Sequence, residues 1–253
     1  MLNAFLAFTG CLLLFLLIKK YLYREMQAIF LLVTGNQNVS IGLLSLLLFP
    51  GVMIHELSHY LAAKILRVKI NKFSLIPKSM KNNTIRLGFV ETDQTDIVRD
   101  TLIGMAPLLS GMIITGWIAW AKLGLSSIIF PMAATNIQDI FSAIIQMPKQ
   151  PDFLIWLYLA FAISSTMIPS QTDRHAWLPV GAFLSFVIVL LLISGAGDWM
   201  MHNVAPYFSQ FISILSLVIG FSILIHLTIL IPTFLTRILL SKLMNAKIGY
   251  VKT

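Results

Sequence analysis

The chain has 253 residues, of which 58% are hydrophobic and only 11% are charged, whereas soluble domains carry about 25% charged residues. This composition excludes an ordinary globular domain and predicts a polytopic membrane protein. The net charge of +8 comes from Lys and Arg residues placed mostly between and beside apolar segments. Lipid headgroups and the positive-inside rule account for such a distribution, so no nucleic-acid partner is predicted.

The first apolar segments predict two membrane-spanning helices. Residues 2–18 form the first span, which the basic and aromatic residues at 19–24 should close at a membrane interface. This segment lacks a basic n-region and an A-x-A cleavage site, so we expect a retained helix rather than a signal peptide. An apolar piece at 27–34 is too short to cross a bilayer alone. The second span covers residues 41–66, and Pro50 should kink it because proline lacks the backbone N–H.

The chain changes character after the second span. Polar and apolar residues alternate at 68–76 and again at 84–92, which predicts a β-hairpin at the membrane surface. Residues 125–150 place polar side chains between two prolines, and we expect a re-entrant or interfacial helix there. The remaining apolar segments predict spans at 101–122, 153–168, 178–194 and 207–234.

Together these segments predict an all-α polytopic membrane protein with about six transmembrane helices and a small membrane-associated β-hairpin. We expect one integral membrane domain over residues 1–253, with a catalytic core at about 41–175 and C-terminal helices at 177–253. Cys11 is the single cysteine in the sequence, so no internal disulfide and no thiolate metal site is expected.

The second span carries an H-E-x-x-H motif, His55-Glu56-Leu57-Ser58-His59. Positions i and i+4 share one face of a helix, so His55 and His59 can direct two imidazoles at one ion. Glu56 lies beside that ion, where it can take a proton from a bound water. An unpartnered ionisable group is costly in lipid, so a pair of purely structural histidines is the weaker interpretation.

A catalytic zinc ion needs a third protein ligand, because such sites usually combine three ligands with a water. If the third span returns the chain once, the fourth span runs parallel to the second and ends on the same side. Asp173 follows that end, just after Pro169, which ends the helix and lets the chain turn a carboxylate inward. Asp173 is therefore the expected ligand, with Glu91 in the hairpin and His175 as alternatives.

Other downstream residues fit less well. This topology places Asp152, Asp198 and His202 on the opposite side of the membrane from the histidine pair. The position of Asp139 depends on the segment 125–150. We expect His226, alone on an apolar helix, to hydrogen-bond a neighbouring helix.

These motifs resemble the site-2 protease family of intramembrane zinc metalloproteases. The family has H-E-x-x-H in one span, a β-structured membrane-associated loop after it, and a ligand Asp at the end of a later span. The stretch from Ser165 to Asp173 is similar to the second motif, with Ser165 where the family often has Asn and Arg174 where it has Gly. The segment 104–109 is similar to the small-residue and proline segment of the family's intervening span, so the resemblance covers residues 41–175.

The resemblance implies a zinc-dependent endopeptidase that hydrolyses peptide bonds in or near the transmembrane segments of membrane-protein substrates. It implies Zn²⁺ held by His55, His59 and Asp173, with Glu56 as catalytic base, in a multi-pass protein of the cell membrane surrounded by lipid. Two other functions remain open. One is a metalloprotease of the prenyl-protein-processing type with Glu91 as third ligand, and the other is a non-catalytic zinc-binding membrane protein.

Overall fold

The structure is a computed structural model that describes residues 2–75, 78–79, 85–86, 88–125, 142 and 144–245. The described chain is mostly helical and includes four short strands, β1 (Ile70–Ser74), β2 (Lys78–Ser79), β3 (Ile85–Arg86) and β4 (Phe89–Thr92). The helices are α1 (Leu2–Thr34), α2 (Gln37–Leu47), α3 (Phe49–Ile65), α4 (Ile97–Ala121), α5 (Phe153–Thr166), α6 (Trp177–Ile193), α7 (Gly197–Asn203) and α8 (Ala205–Leu243).

The first helix is longer than its sequence predicts. The expected end at residues 19–24 is wrong, because α1 continues without a break for 33 residues. Polar side chains in its middle have partners inside the protein: the Lys19 amine lies 5.5 Å from the centre of the Tyr23 ring, and Glu25 pairs with Arg237 of α8. These contacts allow polar residues to lie within a helix that packs along α8, where the sequence alone suggested a membrane interface.

The second predicted span is divided at the position where proline predicts a kink. Helices α2 and α3 meet at Leu48 and are bent by 71° relative to each other. Pro50 occupies the first turn of α3, where its missing N–H costs no intrahelical hydrogen bond. Because of this bend, α3, which carries the H-E-x-x-H motif, runs in a different direction from α2.

A small antiparallel sheet follows α3, which confirms the predicted hairpin. Strand β1 pairs with β4, with Phe73 opposite Val90, and a register shift lies between Ile70 and Lys72. Strands β2 and β3 form a second antiparallel pair farther along the hairpin. Through β4 the hairpin contacts α3, so the sheet lies next to the motif.

Helices α3, α4 and α5 pack against one another and form the centre of the molecule. Asp96 caps α4, since its side chain accepts a hydrogen bond from the Arg99 backbone N–H at 3.0 Å. Helix α5 ends at Thr166, three residues before Pro169. Close packing of α3 on α5 requires a glycine at position 51, because a Cβ there would lie 2.0 Å from the Ala162 carbonyl oxygen.

Three helices of the described chain, α1, α4 and α8, are long and apolar enough to cross a membrane. The number rises to five if the bent pairs α2 with α3 and α6 with α7 each form one span. Helix α5 is apolar but has only 14 residues. The fold is thus that of a predominantly helical membrane protein, while the count of six spans stays a prediction.

The predicted re-entrant segment at 125–150 falls largely outside the described residues, and Asn136 and Asp139 lie outside them too. Its described end is helical at 144–146 and continues into a short 3₁₀ turn at Met147–Lys149.

Candidate metal centre

The two motif histidines lie one turn apart on α3 and face the same side of the helix. Each ring is fixed by a hydrogen bond from its Nδ1 atom to a backbone carbonyl on another helix. The His55 Nδ1 is 2.8 Å from the carbonyl oxygen of Thr166 on α5. The His59 Nδ1 is 2.9 Å from the carbonyl oxygen of Ile103 on α4.

These two contacts determine which nitrogen of each ring carries the proton. A carbonyl oxygen can only accept a hydrogen bond, so each Nδ1 is the protonated donor. When a ring is neutral, its Nε2 atom therefore carries a lone pair, and the two Nε2 atoms lie close together beside Asp173. Metal-binding histidines almost always donate their other N–H in this way.

The distance between the two Nε2 atoms fits a shared cation. They lie 3.2 Å apart. Two imidazoles bound tetrahedrally to zinc at about 2.05 Å would place their nitrogens about 3.3 Å apart. The rings are thus already spaced as a metal ion would space them.

Asp173 supplies the third potential ligand. Its Oδ1 lies 3.4 Å from the His59 Nε2, and its Oδ2 lies 3.8 Å from the His55 Nε2. The ligand atoms of His55, His59 and Asp173 all lie within 4.8 Å of one another, so this group could hold a metal ion. The Ser170 backbone N–H donates to the Asp173 Oδ2 at 2.7 Å and orients the carboxylate.

The loop that carries Asp173 lies directly on α4. A Cβ at Gly104 would be 2.0 Å from the Asp173 carbonyl oxygen, so only glycine allows this approach. His175 adds a second link between the loop and α4, with its Nε2 2.8 Å from the Asp100 carboxylate.

Gly104→Ala is expected to weaken metal binding, because the new methyl group must push the Asp173 backbone away from α4. Loss of support around metal ligands typically costs about 10–100-fold in affinity, and we expect a change of that size in competition between the protein and a chelator for Zn²⁺. Gly181→Ala is the matched control, since a Cβ there meets nothing within 4 Å. Equal Zn²⁺ affinities for the two variants would contradict this role of Gly104.

Glu56 lies next to His55 on α3 and is buried, with 8% of its surface exposed. The backbone of Gly88, just before β4, packs on it: a Cβ at Gly88 would be 2.7 Å from the Glu56 Cγ and 3.2 Å from its Oε1. The carboxylate is thus held between the metal-binding face of α3 and the hairpin, and it lines the same cavity as the histidines.

An open cavity of about 690 Å³ contains the centre. Its wall includes His55, Glu56, His59 and Asp173 together with the continuous segment 88–95, which contains β4. A space of this size admits water and an extended segment of polypeptide.

The cavity lies toward one end of the helices. At the other end, the rings of Trp117 and Trp156 are 5.8 Å apart and the Lys122 amine lies 4.9 Å from the Trp156 ring centre. Aromatic and basic residues of this kind mark membrane interfaces. The Ile103 carbonyl, which contacts His59, precedes Trp117 on α4 by about 21 Å. The metal centre therefore lies near the end of α4 that is next to the sheet, away from the two tryptophans.

The structure separates the other ligand candidates from the histidine pair. Glu91 on β4 lines the cavity but is 44% exposed and pairs with Lys72 at 3.5 Å. His175 lines the cavity too, with its ring directed at Asp100. Among the described residues, only His55, His59 and Asp173 form a group of three potential ligands.

None of the remaining described candidates is part of the cavity wall. Asp152 precedes α5, and the Nδ1 of His202 bonds the Asp198 carbonyl oxygen at 2.7 Å. His226 hydrogen-bonds Ser165 of a neighbouring helix at 3.0 Å, which confirms the expected contact.

Sequence reasoning missed the groups that orient the ligands. The carbonyls of Thr166 and Ile103 leave no trace in a sequence, because every residue has a carbonyl. Ser170 did leave a signal: a serine three residues before an aspartate is typical of reciprocal side chain to backbone bonding, and the Asp173 N–H indeed donates to the Ser170 hydroxyl at 3.3 Å.

Comparisons of the chain with protein-family models, with curated proteins and with solved structures return no match. The function must therefore be inferred from the residues and their geometry.

Proposed function

We propose that this protein is an intramembrane zinc metalloprotease, multi-pass in the cell membrane, that hydrolyses peptide bonds in or near transmembrane segments of membrane proteins. The observation that carries the proposal is the convergence of His55, His59 and Asp173 beside buried Glu56 in an open cavity among apolar helices.

The donor set fits zinc. Two neutral imidazoles and one carboxylate are a known ligand combination of catalytic zinc, which keeps a fourth position open for water. The same donors also suit iron(II) in some enzymes, but the Glu that follows the first histidine favours hydrolysis, since this chemistry needs a base beside the metal. Metal analysis should therefore measure zinc and iron together.

The residues have distinct roles in this mechanism. His55, His59 and Asp173 would hold the ion, which when bound lowers the pKa of a coordinated water to about 7 and polarises a carbonyl. Glu56 accepts a proton from the attacking water and delivers it to the nitrogen of the leaving amine. Thr166 and Ile103 keep the two imidazoles in the required tautomer through their carbonyls. The candidates for assisting the carbonyl oxygen are Arg174, His175 and Asn136.

A substrate helix must unwind before its peptide bonds can react, because its own hydrogen bonds hide them. Strand β4 is well placed to hold the unwound segment, since one of its edges pairs with β1 and the segment that contains β4 lines the cavity. In the described chain β4 has no other strand partner. Addition of an extended substrate strand to β4 would present a peptide bond to the metal centre.

The prenyl-processing alternative, with Glu91 as third ligand, has less support, because Glu91 pairs with Lys72 and lies outside the ligand group. The non-catalytic alternative has less support because a pure binding site has no need of a carboxylate base beside the ion.

Wild-type protein in detergent or lipid should contain about one zinc per chain and should cleave a helical transmembrane test peptide. A chelator should stop cleavage, and added Zn²⁺ should restore it. Iron in place of zinc, or bound zinc without cleavage of any peptide in a panel of transmembrane sequences, would contradict the proposal, and the second result would favour the non-catalytic alternative.

A further inference from the structure

The last turn of α5 binds three other helices through groups that its sequence leaves free. Helices end with carbonyls that have no N–H partner four residues later. Position 169 is proline, which has no N–H to offer the Ser165 carbonyl. The Ser170 N–H, which could reach back to Thr166, instead donates to the Asp173 carboxylate at 2.7 Å.

Both free carbonyls are used by side chains from other helices. The Ser165 carbonyl accepts a hydrogen bond from the Tyr23 hydroxyl of α1 at 3.0 Å. The Thr166 carbonyl accepts from the His55 Nδ1 of α3 at 2.8 Å. The Thr166 carbonyl, which orients His55, is therefore next in the chain to the Ser165 carbonyl, which α1 contacts through Tyr23.

Helix α8 contacts the same turn through His226. The His226 Nδ1 donates to the Ser222 carbonyl at 2.7 Å, so its Nε2 is an acceptor, and the Ser165 hydroxyl donates to it at 3.0 Å. The rings of Phe15 and Phe161 lie 5.0 and 5.2 Å from the imidazole. This aromatic surround leaves the ring little freedom to turn.

A serine beside a histidine with its Nδ1 bonded could also suggest a nucleophile and its base. Burial excludes that role here, because Ser165 and His226 both have 0% of their surface exposed. Neither residue is part of the wall of the metal cavity. The pair is a fixed contact between helices.

We propose that Tyr23 and His226 are positioning residues for the metal centre: they fix the last turn of α5 so that the Thr166 carbonyl holds the His55 imidazole toward the ion. The inference rests on the proposed function, since it requires His55 to bind a metal. It assigns to α1 and α8, which lie outside the α3–α5 centre, an influence on the metal that acts through the end of α5 and His55.

The test compares Tyr23→Phe with Tyr21→Phe, which makes the same chemical change at an exposed position of the same helix. We expect Tyr23→Phe to weaken Zn²⁺ binding about tenfold, to shift the visible absorption spectrum of the Co²⁺-loaded protein, and to lower kcat with KM unchanged. Tyr21→Phe should match the wild type in all three. His226→Ala should act like Tyr23→Phe, and His226→Gln, whose amide oxygen can accept from Ser165, should recover most of the loss.

The outcomes separate this inference from the proposed function. A wild-type protein that binds no metal would overturn both. A metal-loaded, active wild type together with an unchanged Co²⁺ spectrum and Zn²⁺ affinity in Tyr23→Phe and His226→Ala would overturn the inference alone. A lower Tm of the metal-free variants without any change at the metal would give the two residues a merely structural role and would overturn it as well.

Discussion

Glu56→Gln is expected to abolish peptide cleavage while leaving the zinc content at the wild-type level. The amide keeps the size of the side chain, which is buried against Gly88 beside His55, so the fold and the ligand group should persist. The substitution removes the carboxylate, which accepts a proton from water and passes it to the leaving amine. General acid–base catalysis contributes about 10²–10⁴-fold to rate, and we expect kcat to fall by at least that factor, as measured with a fluorogenic transmembrane peptide.

Glu91→Gln is the matched control for this experiment. Glu91 lines the same cavity, so the change removes a carboxylate from the same cavity wall, and kcat should stay near the wild-type value. Zinc retained and cleavage lost in Glu56→Gln alone would support the proposed mechanism. Undiminished cleavage by Glu56→Gln would contradict it, because no other residue is proposed as the base.

Asp173→Ala is expected to lose bound zinc. The variant keeps both imidazoles but removes the carboxylate that lies 3.4 Å from the His59 Nε2, and a catalytic zinc site normally requires three protein ligands. We expect Zn²⁺ affinity to fall by more than about 100-fold, beyond the range seen when only supporting residues change. Metal analysis after dialysis against a weak chelator measures the loss.

Glu91→Ala and His175→Ala decide between the possible third ligands. Both residues line the cavity, and both variants should keep their zinc if Asp173 is the ligand. Zinc retained by Asp173→Ala and lost by Glu91→Ala would move the third ligand to the hairpin and favour the prenyl-processing alternative. Loss in His175→Ala alone would move it to His175.

The two experiments test different parts of the proposal. Asp173→Ala tests whether the group of three residues binds the ion, and Glu56→Gln tests whether the bound ion serves hydrolysis. If Asp173→Ala loses zinc and the wild-type protein cleaves no peptide, the protein binds zinc without catalysis. The two experiments together therefore distinguish an enzyme from a zinc-binding membrane protein.

Local patterns predicted much of the framework correctly. Apolar runs predicted α4, α5 and α6 within a few residues, and proline at position 50 predicted the break before α3. Alternation of polar and apolar residues predicted the hairpin that β1 and β4 form. These predictions succeed because helix breaking, strand alternation and transfer to lipid depend on residues that are neighbours in the chain.

The length of the first helix was predicted wrongly, because it depends on contacts between residues that are far apart in the chain. Residues 19–24 predicted the end of the first span, but neither Lys19 nor Glu25 ends the helix. In the fold, Glu25 pairs with Arg237, more than two hundred residues later, and α1 continues through both. A sequence read locally cannot show such a partner.

The sequence by itself determined the chemistry available to this protein: two imidazoles at helical spacing, a carboxylate beside them, and a second carboxylate after a helix-ending proline. Only the tertiary structure decided how those groups are held. The Thr166 and Ile103 carbonyls select the tautomers, a glycine at position 104 admits the Asp173 loop, and Tyr23 and His226 brace the end of α5. The physical reason is that side-chain identity is a property of one position, whereas the direction of a lone pair depends on atoms that only folding brings within hydrogen-bond distance.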